Sequence, residues 1–267
     1  MFKRKRLILV FVILVTAGLF ASGLLRRNYV VPILMYHSVA PESRNALTVS
    51  SEAFERQMRF LKTHKYNVVT LEALADLVSR GKNIPPRTVA ITLDDGYKDN
   101  FTNAFPILKK YGLKATEFII VNEVSRAQGD RLSWQDIKEM RDSGLVTIGC
   151  HTLGPEPLID IRQEDLLRSQ IFDSKKILEE KLGGPVDVFS YPGGMFNAHI
   201  RQLVIDAGFK AAVSTNPGRN SPPDDIYALK RLRISENSKN MFIFWFESSG
   251  LYTFIKEHRH KKHHVEE

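Results

Sequence analysis

Short, continuously apolar runs recur along the chain, separated by longer stretches whose apolar residues return every three or four positions. Val30 to Tyr36, Tyr66 to Thr70, Thr88 to Leu93, Thr116 to Val121, Val146 to Cys150, Val186 to Ser190, Lys210 to Ser214 and Arg231 to Ser235 read as strands. Runs apolar at every position belong in a sheet covered on both faces. Between them, Ser51 to His64 sets Phe54, Met58 and Leu61 on one helical face, and Leu71 to Ser79 does the same with Leu71, Leu74, Ala75 and Val78. Further helices are predicted over Asn100 to Tyr111, Ser133 to Ser143, Glu164 to Leu182 and Ala198 to Ala207, each followed by glycine. Ser133 is a suitable cap, and glycine past the last turn is a stop signal. Gly81 to Arg87, with Pro85-Pro86, is a connection, and Met241 to Phe246 follows the last strand.

Strands alternating with helices build parallel βαβ units. Seven or so such units can close into a distorted (β/α) barrel whose strand ends share one face; an open doubly wound sheet is the competing α/β architecture. The chain divides into residues 1–29, 30–87, 88–255 and a polar tail, 256–267, in which His258, His260, His263 and His264 fall. That tail reads as a solvated end.

The first division differs in kind. Leu7 to Leu25 is a run of 19 uncharged residues preceded by Phe2-Lys3-Arg4-Lys5-Arg6. It is long enough to cross a bilayer, with the basic cluster left in the cytoplasm. A cleaved signal peptide is the alternative, with Ala21-Ser22-Gly23 at a plausible cleavage spot. Either reading exports the domain: anchored to the cell membrane in one, secreted in the other. The leader also changes the charge picture. The formal charge is +8, but residues 1–27 carry six basic residues and no acid, leaving 32 basic against 30 acidic residues elsewhere. A nucleic-acid partner, which calls for a basic face on the folded domain, is therefore not expected. Cys150 is the only cysteine, so no intrachain disulfide can form, and it reads as a small buried hydrophobe.

Three predicted strand ends carry chemistry: Asp94-Asp95-Gly96, His151-Thr152 and Tyr191-Pro192-Gly193-Gly194. In a parallel barrel these ends converge. Two adjacent carboxylates there need compensation by a cation, a shared proton or a base. One carboxylate and one imidazole suit a divalent ion such as zinc, and the second carboxylate could take a proton from the water that the ion activates.

In that order and placement, these motifs resemble the polysaccharide deacetylases with the NodB homology domain (carbohydrate esterase family 4), from about Pro32 to Ser235. Leu34-Met35-Tyr36-His37-Ser38-Val39 resembles the opening strand of exported bacterial members. Thr92-Leu93-Asp94-Asp95-Gly96 resembles the first family motif, and Tyr191-Pro192-Gly193-Gly194 with Phe196-Asn197 the third. The resemblance implies Asp94 as catalytic base, with Asp95 and His151 as ligands of a divalent metal, zinc or alternatively cobalt or nickel. It further implies an oxyanion held by a backbone amide of the Tyr191 loop, and an acetylated amino-sugar polymer as substrate.

The chain departs from the family pattern in three places. Pro155 stands where the second histidine ligand is expected, four residues after His151; Glu156 is either its replacement or a surface acid. Ser190 stands where many members have an arginine that orients the base. No late histidine serves as general acid, and His37 is either its stand-in or a packed strand residue. The implied activity is metal-dependent removal of N-acetyl groups. The alternative is a degenerate, glycan-binding relative, and a two-carboxylate glycosidase fits poorly because adjacent acids cannot face each other across a sugar.

Overall fold

The computed structural model describes residues 31–42, 45–81, 84–125, 129–215 and 225–250, together with Thr16 and Tyr252. The leader segment at 7–25 and the tail at 256–267 lie outside the described residues. Among those described, no helix is long and apolar enough to cross a membrane.

The strand segments are β1 (Ile33–Tyr36), β2 (Ser38–Ala40), β3 (Thr48–Ser50), β4 (Asn67–Val69), β5 (Thr88–Leu93) and β6 (Ala115–Ile119), then β7 (Val146–Cys150), β8 (Val188–Ser190), β9 (Ala211–Ser214), β10 (Leu229–Lys230) and β11 (Leu232–Arg233). All but β2 and β3 form one parallel sheet, in the order β10-β9-β8-β7-β6-β5-β1-β11, with β4 beside β5. One short stretch joins the ends of that order: Leu229 pairs with Val213 of β9, and three residues later Leu232 pairs with Leu34 of β1. The stretch from Leu229 to Arg233 thus bridges the two edges into a nearly closed barrel, in place of an open sheet. Residues 30–87 are integral to it, because β1 lies directly against β5.

The α-helices that flank the sheet are α1 (Ser51–Thr63), α2 (Leu71–Ser79), α3 (Phe105–Tyr111), α4 (Trp134–Asp142), α5 (Glu164–Leu182), α6 (Ala198–Asp206) and α7 (Met241–Ser248). Their boundaries follow local chemistry. Ser50 caps α1 by accepting from Ala53 N–H, and Ser133 and Asp136 form a reciprocal capping box on α4. Gly112 and Gly183 end α3 and α5 in the left-handed conformation, at φ +61° and +69°. The inner face of the barrel holds Ile33, Ala90, Phe118, Val188, Val213 and Leu229, packed with Leu71, Leu74 and Val78 of α2. The outer face packs against the other helices.

Two details depart from the sequence expectation. The predicted helix from Asn100 begins as a π-helix over Asn100–Ala104, where Phe105 N–H donates to Asn100 O, and only then becomes α3. The Asn100 side chain is held by Glu117 on β6, and Pro106 lacks an N–H for the ordinary ladder. The two-strand pairing of β2 with β3 was not expected either, since three residues are too few for a periodic signal.

Gly149 shows how tightly the barrel is filled: a Cβ there would lie 2.5 Å from two Phe118 ring atoms and 3.1 Å from Val188. Gly149→Ala is expected to cost ~1–3 kcal/mol by overpacking, read as a lower urea midpoint with an unchanged slope.

Candidate active site

Asp94 follows the last residue of β5, and its backbone N–H donates to Tyr36 O of the neighbouring β1. Asp94 is 1% exposed. Such a group keeps its charge only with a partner, and the partner is Arg231, itself 1% exposed. Nη1 donates to Oδ1 at 2.6 Å and Nη2 to Oδ2 at 2.7 Å. The remaining donors of Arg231 reach Ser190 Oγ at 2.9 Å, Thr92 Oγ1 at 3.2 Å and Ser214 O at 3.1 Å. Burial opposes the charge on Asp94, but Arg231, with His151 and His37 nearby, outweighs it and holds the carboxyl below its ordinary range.

Arg231 is the functional residue that the sequence reading missed. Ser190 reads as the loss of an arginine; in the fold, its small side chain leaves space that Arg231 enters from the strand closing the barrel. A signal was available: an arginine in a predicted barrel strand, if it faces inward, has to find a buried anion.

Asp95 turns the other way, at φ +72°, and Thr152 after His151 has φ +68°. Positive φ costs a non-glycine residue about 1–3 kcal/mol and is retained where a site requires it. His151 is 6% exposed, and its Nδ1 lies 2.8 Å from Ser190 O. A carbonyl only accepts, so Nδ1 carries the proton and Nε2 presents its lone pair, 3.5 Å from Asp95 Oδ1. The structure therefore brings Asp94, Asp95 and His151 together.

His37 joins them at the end of β1. Burial lowers its pKa, with Asp94 and Asp95 pulling the other way and Arg231 and His151 adding to the fall. Its Nδ1 is buried with no hydrogen-bond partner. The following residues are fixed to the loop after Asp95: Ser38 Oγ donates to Asp99 Oδ2 at 2.6 Å, and Val39 N–H to Asp99 Oδ1 at 3.1 Å. His37 also lines a groove of about 690 Å³ with Met35, Gly193, Thr215, Asn237 and Ile243 among its walls.

Two expected residues are placed differently. Glu156 is exposed and folds back over Gly154, away from Asp95 and His151. The loop carrying it is pinned by Gln170, whose Oε1 accepts from Leu153 and Gly154 N–H at 3.1 and 2.9 Å. Tyr191 is fully buried, its hydroxyl donates to Tyr227 O, and its backbone N–H is taken by Val213 O at 3.1 Å. Among the described residues the amide of that loop without a partner belongs to Gly193, second residue of the one-turn helix Pro192–Gly194 and a lining residue of the groove. Gly194, at φ +73°, packs so closely on Thr215 that a side chain would collide with it.

Comparison with known proteins agrees with this fold. Residues 81–212 match the family model described as Polysaccharide deacetylase. A Bacillus subtilis protein, YxkH, whose name assigns it to the polysaccharide deacetylases, is 34% identical over 77% of this chain and 71% of its own. The poly-β-1,6-N-acetyl-D-glucosamine N-deacetylase of Staphylococcus aureus is 28% identical over 80% of this chain and 76% of its own. The solved structure of the Streptococcus pyogenes deacetylase PplD in complex with acetate aligns with a TM-score of 0.74 at 28% identity, over 80% of this chain and 97% of that one. That of IcaB from Ammonifex degensii gives 0.74 at 27%, over 82% and 97%. The chain belongs to the polysaccharide deacetylase family.

Removing Arg231 leaves a buried charge alone. Arg231→Met is expected to destabilise by ~3–5 kcal/mol, and the double variant with Asp94→Asn by less than Arg231→Met alone, in urea unfolding. The depressed Asp94 pKa also fixes a pH window. Its contribution to stability is complete above the ordinary value of 3.8 and is lost as pH falls through the lower folded-state value. The acid unfolding of Asp94→Asn should lack that component.

Proposed function

We propose that the chain is an exported hydrolase that removes N-acetyl groups from an amino-sugar polymer of the cell envelope. The observation that carries this reading is a buried carboxylate held below its ordinary pKa beside an Asp–His pair, next to a groove lined by Gly193, whose N–H has no partner among the described residues. Leu7 to Leu25 supplies the export signal and, uncleaved, the membrane tether.

Asp95 and His151 fit a divalent ion through two ligands: the tautomer of His151 is set and its free nitrogen faces a carboxylate oxygen. Among the described residues no third His, Cys, Asp or Glu completes the group. Zinc, or alternatively cobalt or nickel, bound there would polarise the acetyl carbonyl and acidify the attacking water. Asp94 takes the water proton. Arg231 occupies one direction at each carboxylate oxygen and leaves the others free to accept. As the carbonyl carbon becomes tetrahedral, Gly193 N–H faces the developing oxyanion. His37, whose pKa burial lowers, would relay the proton that Asp94 took from the water to the departing sugar nitrogen. The products are acetate and a free amine on the polymer.

Glu156 turned outward and Pro155 in the second-histidine position favour a second reading, glycan binding without turnover. Acetate release from N-acetylglucosamine oligomers decides between them. Release should be abolished by chelator, restored by zinc, cobalt or nickel, and lost in Asp94→Asn; no release under any divalent metal rejects the enzyme. His37→Gln should lower kcat ~10²-fold or more while leaving oligomer binding unchanged. His151→Ala should lower the metal content of the purified protein.

A further inference from the structure

Glu117 is a buried acid that the mechanism above does not use. It lies in β6 between β5 and β7, paired with Leu93 on one side and Ile148 on the other. Those neighbouring strands end at Leu93 and Cys150, just before Asp94-Asp95 and His151. Glu117 is fully buried, and so is Asn100, the first residue of the π-helix.

Asn100 Nδ2 donates to Glu117 Oε1 at 3.0 Å. That leaves one oxygen on each group, Glu117 Oε2 and Asn100 Oδ1, buried with no hydrogen-bond partner among the described residues. Two buried acceptors without a donor are costly. An ionised carboxylate only accepts, so it leaves both unmet. A single proton on Oε2 serves both, because Oε2–H can donate to Oδ1 while Nδ2–H donates to Oε1. A carboxylic acid and a primary amide are complementary in this two-bonded ring. Burial favours the same neutral form, against the pull of the Asn100 hydrogen bond, and the nearby Asp94, Asp99 and Asp95 add to it.

Asn100 is also a joint. Its N–H donates to Tyr97 O at 3.0 Å, closing the turn that follows Asp95, and its carbonyl accepts from Phe105 N–H in the π-helix. Asp99 beside it holds Ser38 and Val39, just after His37. Fixing Asn100 to β6 therefore fixes the Asp95 turn against the strand next to His151.

We propose that Glu117 is a positioning residue that acts as a neutral acid: its two-bonded ring with Asn100 holds the Asp95 turn where Asp95 and His151 can share a divalent ion. The positioning role rests on the reading of those two residues as metal ligands; the ring does not.

Glutamine offers the same acceptor and donor without a charge, so Glu117→Gln should bind cobalt within about twofold of the unsubstituted protein. Glu117→Leu should bind it ~10-fold or more weakly, read from the absorption of the bound ion. The double variant Glu117→Leu/Asn100→Leu leaves neither partner unpaired, so it should recover stability in urea unfolding while its cobalt binding stays weak. Cobalt binding that recovers along with stability reduces the pair to packing and overturns the positioning role. The infrared difference between the unsubstituted protein and Glu117→Gln at neutral pH should contain the carbonyl band of a protonated carboxyl group. A carboxylate band in its place, or cobalt binding lost in Glu117→Gln, overturns the neutral acid. An unsubstituted protein that takes up no cobalt overturns the metal reading and the positioning role with it, while the infrared band still decides the ring.

Discussion

One buried ion pair, Asp94 with Arg231, ties together the closure of the barrel and the chemistry at its mouth. Both partners are 1% exposed, and both oxygens of the acid are met by separate nitrogens of the base. A buried pair of this kind adds little net stability against an apolar replacement, yet losing one partner is severe. Its value lies in position. Arg231 sits in the short stretch that hands the sheet from β9 to β1, so the contact that closes the barrel also sets the carboxylate. A strand slipped by one residue would turn the guanidinium to the opposite face.

That dependence explains what could be read from residue order and what could not. The strands and helices were legible because each is a local pattern of apolar spacing, caps and stops. So was the convergence of Asp94, Asp95 and His151, which follows from parallel strands ending on one side. Arg231 was not, because its meaning comes from a residue 137 positions away. Ser190 reads as a missing arginine, whereas in three dimensions it is an accommodated one. Tyr191 misleads differently. Its aromatic ring draws attention in the sequence, but its amide completes the ladder to Val213 and its ring is packed away, so the loop offers the inconspicuous Gly193 instead. Glu156 is a question of reach, and no local pattern states where a loop side chain will turn.

The ligand pair shows a similar economy. Asp95 and Thr152, just after the ends of β5 and β7, both hold left-handed backbone, and neither is glycine. The conformation of Thr152 directs its hydroxyl to Gly154 O at 2.6 Å, and Gln170 holds the two amides that follow. The loop after His151 is thus built to be an irregular turn with its own hydrogen bonds, and Gly154-Pro155 suits it. A histidine four residues after His151 meets it only on a helical turn, which this segment does not form. The absence of that second ligand and the shape of the loop are one fact seen twice.

The same site contains a second buried acid with the opposite outcome. Glu117, on β6 opposite Leu93, is fully buried and has only Asn100 Nδ2, at 3.0 Å, as a partner for Oε1. Burial pushes its pKa well above the ordinary value, and the nearby Asp94, Asp99 and Asp95 push it further, so its charged form is disfavoured where that of Asp94 is favoured. The difference is not depth, since both side chains are almost fully buried. It is that one faces a guanidinium and the other an amide, and an amide cannot offset a buried charge. Had Glu117 been ionised as well, the negative charge around the Asp95–His151 pair would exceed what Arg231 compensates. Disfavouring the charge on Glu117 lets the strand ends pack a further carboxyl group beside Asp94 without adding to the charge that Arg231 must offset.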